Sequence, residues 1–183
     1  MPATKFELVD LSTWETKDGG KFEASPEERD AILEASSALL NEKAKLHISP
    51  ENVKRRKYPG GRMLVVLANG KPMTVAHYNV IKYKPSDKKV YVSFHQASAR
   101  GAIQEFSKKR RSHPSHVLFD WMRERVKGPA VVRVNIDGTN RAFFARLEKK
   151  GVLRRKLSRP GRPRDFNMTR EPPAVTNAKK RRR

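Results

Sequence analysis

The side chains of this sequence best equipped for chemistry are its cations, and they are bunched. Arg159, Arg162 and Arg164 fall within six residues, interleaved with Pro160, Gly161 and Pro163. A guanidinium presents a planar fork of donors that matches phosphate and carboxylate oxygens. Proline keeps such a turn extended and glycine lets its backbone approach a partner closely. Arg154, Arg155 and Lys156 stand just before this turn, and Thr139, Asn140, Arg141 and Arg146 lie upstream of it. Asparagine can bond adenine, and arginine guanine, through two hydrogen bonds at once. Thr139 and Asn140 read equally well as helix caps. Two further runs, Lys54-Arg55-Arg56-Lys57 and Lys108-Lys109-Arg110-Arg111, suit auxiliary phosphate contacts or a solvated charged face.

Catalytic and metal chemistry is thinly represented. The histidines are His47, His77, His95, His113 and His116. His113 and His116 are separated by a proline, with no acid between them, so the zinc-protease pattern is missing. Asp120, four residues after His116, would complete only a weak metal or nuclease site. There is no phosphate-binding loop, no Gly-x-Gly-x-x-Gly and no Gly-x-Ser-x-Gly turn. The sequence therefore predicts no enzyme, no metal and no cofactor.

Charge supports a polyanionic partner. The net charge is +22, unevenly placed: residues 1–50 hold 6 Lys/Arg against 10 Asp/Glu, leaving 35 against 9 in residues 51–183. A basic body of this strength seeks phosphates, while the acidic head could meet a protein partner or shield that body. The chain has no cysteine, which excludes disulfides and thiolate metal sites and fits a reducing compartment. No apolar run approaches the length of a membrane helix, and the N-terminus has no leader pattern. The compartment expected is cytoplasmic and nucleoid-associated in a prokaryote or virus, nuclear in a eukaryote.

Periodicity predicts the elements that position these cations. A short strand is expected within residues 1–24. Ser25-Pro26-Glu27-Glu28 predicts a capped helix over 26–44, with Ile32, Leu33, Leu39 and Leu40 on its apolar face. Residues 62–94 predict antiparallel hairpins, the first turning at Asn69-Gly70. Tyr83, Tyr91 and Phe94 there serve either core packing or base stacking. A helix is expected over 98–109, a break at 112–115, and a second helix from 116 to 126 capped by Ser115. Pro129–Ile136 favours a strand by propensity and a short helix if it leads into the helix beyond it. Arg141–Lys150, with Phe143, Phe144 and Leu147 on one face, predicts a helix stopped by Gly151. A half-exposed strand then runs over 152–157, succeeded by the arginine turn and a returning strand. Residues 171–183, ending in Lys179-Lys180-Arg181-Arg182-Arg183, are disordered by composition.

The segment 115–170 resembles the winged helix-turn-helix family, on Arg146-Leu147-Glu148-Lys149-Lys150-Gly151-Val152-Leu153 leading into a wing. The turn 159–164 looks like an AT-hook, with Arg159 and Pro160 transposed. The resemblance implies a reader helix starting at Thr139, Asn140 and Arg141, and a wing pressed to the minor groove or backbone. The expected fold class is α+β: residues 1–112 as a small antiparallel sheet with packing helices, 113–170 as a winged-helix-like region, and 171–183 as a basic tail. The expected function is duplex-DNA binding by a regulator or DNA-organising protein, with homodimerisation open. A structural RNA binder and a small basic inhibitor of a partner enzyme are the alternatives.

Overall fold

Local chemistry sets the first elements. The computed structural model describes residues 3–54, 61–81, 86, 90–126, 130–134, 141–155 and 164–168; for 133, 134, 141, 155 and 164–168 it describes the backbone alone. Helix α1 (Pro26–Ala44) starts at a reciprocal cap. Ser25 Oγ accepts from the Glu28 N–H at 3.1 Å, and Glu28 Oε2 accepts from the Ser25 N–H at 2.7 Å. Strands β3 (Gly61–Ala68) and β4 (Lys71–Ile81) turn at Asn69 and Gly70, whose φ angles are 48° and 76°. Positive φ at both central residues gives the turn whose twist suits a hairpin. Asn69 Oδ1 also accepts the Lys5 N–H at 2.8 Å, which sets β1 (Phe6–Asp10) beside β3.

The remaining elements are β2 (Glu15–Thr16), α2 (Pro50–Lys54), β5 (Val90–Ser98), α3 (Ile103–Arg110), α4 (Pro114–Arg125), β6 (Ala130–Val134), α5 (Arg141–Lys149), β7 (Leu153–Arg155) and β8 (Arg164–Met168). All the strands join one sheet, ordered β2-β1-β3-β4-β5-β6-β8-β7. Every neighbouring pair is antiparallel except β5 and β6. A parallel pair needs a long crossover, and the segment carrying α3 and α4 supplies it.

This sheet corrects the expected fold class. The C-terminal segment is not a winged helix-turn-helix. Strand β8 pairs with both β6 and β7, so the expected wing is the far end of the same sheet. The leading helix expected within 129–136 is strand β6. Val131 and Val132 are both fully buried, and an unbroken apolar run suits a strand covered on both faces. Ser98 closes β5, so the helix expected from that residue starts only at Ile103. Helix α4 begins at Pro114, and its cap is His113 rather than Ser115. The turn at 159–163 and the tail lie outside the described residues.

Strand alternation divides the core between the two faces. Leu64, Val66, Val92 and Phe94 point to the side of α4 and α5, where Leu118, Phe119, Met122, Phe144 and Leu147 meet them. Met63, Val65, Val75 and Ala97 point to the side of α1, against Ile32, Leu33 and Leu40. A buried ion pair fastens α4 to the sheet. Asp10 is wholly buried and bonds Arg125, whose guanidinium also lies 4.7 Å from the Trp121 ring.

Candidate functional site

The site arises where β5 loses its neighbour. The parallel pairing runs from Val90 opposite Ala130 to Ser93 opposite Arg133. On the other side, β5 stays paired with β4 as far as Ser98 opposite Thr74. Among the described residues, the β5 edge from Phe94 to Ser98 therefore has no strand partner on its β6 side. Such an edge presents ladder donors and acceptors to whatever lies alongside.

A cavity of about 330 Å³ opens there. Strand β5 contributes Gln96, Ala97 and Ser98; the start of α4 contributes His113, Ser115 and His116. Helix α5 contributes Ala142, Phe143 and Arg146, and the last turn of α1 contributes Lys43. The walls are held by packing and short bonds. Ser115 is buried and its Oγ donates to Gln96 Oε1 at 2.5 Å, joining α4 to β5. The His116 ring lies 4.9 Å from the Phe143 ring, which in turn lies 6.3 Å from Phe94. The apolar face of α5 is thus spent on this wall.

The cavity favours anions. Among the described residues its lining includes Lys43 and Arg146 but no Asp or Glu, although Lys43 also pairs with Glu42 at 2.8 Å. The positive end of the α4 dipole faces the same space. Both histidines stay neutral: burial depresses His113, assisted by Arg146. Burial likewise brings His116 down to about 4, with Lys150, His113 and Arg146 adding to it. His113 Nδ1 accepts the Ser115 N–H at 3.2 Å, so the first free amide of α4 already has a partner. Two larger hollows flank α1, of about 530 and 610 Å³, with mixed charge on their walls: Arg29, Asp30 and Lys54 in one, and Lys5, Glu7, Glu23, Glu28 and Lys71 in the other.

The sequence-predicted contacts are scattered relative to this site. Arg146 lines the cavity. Arg154 is exposed on β7, while Arg141, Arg155 and Arg164 are placed only by their backbone, on α5, β7 and β8. Thr139, Asn140, Lys156, Arg159, Arg162, Arg55, Arg56 and Lys57 lie outside the described residues. Lys54 pairs with Asp30 at 2.8 Å. Lys108, Lys109, Arg110 and Arg111 are exposed around the end of α3, with Lys109 5.8 Å from the Phe6 ring. Phe94, one candidate for base stacking, is buried in the core. No cluster of three metal-ligating side chains occurs among the described residues. Gln96 and Lys43 were not singled out in the sequence, and Ser115 and Phe143 were read only as a cap and part of an apolar helix face, because no local pattern links the four.

No protein-family model and no curated protein matches the chain. Solved structures do. An acetyltransferase from Trypanosoma brucei matches at 12% identity, covering 86% of this chain and 98% of its own, with a TM-score of 0.52. A possible acetyltransferase from Clostridium difficile 630 matches at 11% identity over 84% of this chain and 94% of its own, TM-score 0.47. A ribosomal-protein-alanine N-acetyltransferase from Brucella melitensis matches at 18% identity over 75% and 92%, TM-score 0.45. The single continuous sheet and the trypanosomal likeness overturn the winged-helix fold, and with it the reader helix and wing on which the expectation of a non-enzymatic duplex-DNA regulator rested. The order and direction of the strands, with the trypanosomal likeness, identify the fold as that of the acyl-CoA N-acyltransferases.

Proposed function

We propose that this protein transfers an acyl group from an acyl-CoA thioester to an amine. The observation that carries the reading is the β5 edge beyond Ser93, which among the described residues has no β6 partner and opens into a cavity whose described lining includes Lys43 and Arg146 and no acid. An acyl-CoA has the matching halves: phosphates at one end, and an extended arm with amide groups leading to the thioester. Lys43, Arg146 and the start of α4 attract the phosphates. The amide-bearing arm adds to the β5 edge as an extra strand would, with main-chain hydrogen bonds giving affinity. Neutral His113 and His116 accept or donate hydrogen bonds there without opposing the cations. A phosphate must compete with His113 Nδ1 for the Ser115 N–H.

The arrangement contributes to rate by position. Holding the thioester carbonyl at a fixed gap in the sheet turns a bimolecular encounter into a local one. The fold likeness supports the same reading. The test is release of free CoA thiol from acetyl-CoA when primary amines are added. The native chain is expected to release thiol in proportion to amide formed. Arg146→Glu, on an exposed helix position, is expected to raise the KM for acetyl-CoA about tenfold, the loss of one charge-assisted contact. Equal activity in that variant would contradict the assignment of the cavity.

A further inference from the structure

We propose that Ser93 and His95 form the proton-accepting pair for the incoming amine, on the α1 face of β5, the face from which Ala97 also lines the donor cavity. This rests on the acyl-transfer reading above and adds the acceptor side of the same site.

Strand alternation carries the assignment. Side chains along β5 point alternately to opposite faces. Gln96 faces α4, as its bond to Ser115 shows. Ser93 and His95 therefore face α1, the side to which Ala97 also points. Ser93 is the last β5 residue paired with β6, so it stands where the sheet opens. One strand thus carries the donor wall at 96–98 and a polar pair at 93–95. Their separation is about one strand repeat, roughly 7–10 Å, the reach of a thioester arm turning through the gap.

The pair is built for proton transfer. Ser93 Oγ and His95 Nε2 lie 3.0 Å apart, both on half-buried side chains. That is the separation expected of a hydroxyl and its base. Directly across the strands stand Asn79, opposite Ser93, and His77, opposite His95. Burial holds His77 at about 4, with repulsion from His95 adding to it. His77 is therefore uncharged near neutrality.

The step balances. The amine lone pair adds to the thioester carbonyl carbon, and the C–S bond breaks with its electrons leaving on sulfur. The amine N–H proton passes to Ser93 Oγ while the Ser93 hydroxyl proton passes to His95 Nε2. The imidazolium then returns that proton to the departing thiolate or to water. Ser93 makes the contact with the amine, and His95 is the base behind it.

The test uses the full chain with acetyl-CoA and three amines: spermidine, an arylamine and the N-terminus of a short peptide. Acetyl-CoA binding and thiol release are measured for the native chain, Ser93→Ala, His95→Gln and the double variant. Each single variant is expected to lose about 100-fold in kcat, the lower end for a positioned acid–base group. The double variant should lose no more than either single, because the pair acts as a unit. Acetyl-CoA affinity should stay within about twofold of native, which also shows that the variants fold. His95→Asn serves if His95→Gln does not fold. Native-like turnover in the His95 variants, or losses that multiply in the double, would overturn the pair. So would a native chain that binds acetyl-CoA yet acylates none of the amines. Failure of the native chain to bind acetyl-CoA would instead overturn the acyl-transfer reading itself.

Discussion

Replacing Phe143 with alanine should disturb stability and site electrostatics together. The Phe143 side chain is 7% exposed and touches four rings: His116 at 4.9 Å, Phe144 at 5.0 Å, Phe119 at 6.0 Å and Phe94 at 6.3 Å. Truncating a buried phenylalanine costs about 3–5 kcal/mol, set by how far the space can refill. Phe143 borders an open cavity, so water enters part of the gap and the lower end, about 3 kcal/mol, is expected. That same water reaches His116. Burial is the main reason its imidazole titrates at about 4, so its pKa should climb back toward the ordinary 6.5. Urea unfolding gives the first quantity, and an NMR titration of the His116 ring gives the second. A loss under about 1 kcal/mol with His116 still titrating at about 4 would refute the idea that this ring seals the cavity wall.

Other perturbations test other joints. Asp10→Ala leaves Arg125 without its buried partner and should cost about 3 kcal/mol in denaturant unfolding, the low end because Arg125 keeps the Trp121 ring and some access to water. Ser25→Ala removes half of the reciprocal cap on α1 and should cost about 1 kcal/mol by the same assay. His77 and His116 both titrate at about 4 when folded, below their ordinary 6.5, so the unfolded chain binds protons that the folded chain refuses. Stability should therefore fall as pH drops from 6.5 toward 4, by up to about 3 kcal/mol for His116 and less for half-buried His77, and these groups should add no slope above that window. A flat profile of unfolding free energy from about pH 7 to about 4.5 would contradict the burial of both rings.

Elements fixed by neighbouring residues were legible in the sequence. The Ser25 cap and the Asn69-Gly70 turn need only local chemistry, and both read correctly. Helix α5 was also legible, but not what its apolar face meets. Phe143 and Phe144 pack beside Phe94 of β5 and His116 of α4, rather than on a leading helix. The sharpest misreading was β6. Val131 and Val132 carry a strand propensity, but the match of Arg146–Leu153 to a reader helix and wing pulls the reading of this stretch toward a helix. What decides β6 is its pairing with β5, between residues far apart in sequence, and no local pattern records that. The cavity was hidden for the same reason. Lys43, Gln96, Ser115 and Arg146 come from four elements and meet only after the crossover places α4 and α5 beside β5. Of the cations that pointed toward phosphates in the sequence, Arg146 lines the cavity, on a fold unlike the one expected.

Calorimetric titration with acetyl-CoA reports directly on whether the opening between β5 and β6 takes an acyl-CoA. The native chain should bind one equivalent. Lys43→Glu with Arg146→Glu should weaken binding at least about tenfold, because two cations at the phosphate end become anions. Absence of binding by the native chain, or equal affinity in the doubly reversed chain, would contradict an acyl-CoA site at the opening of β5 and β6.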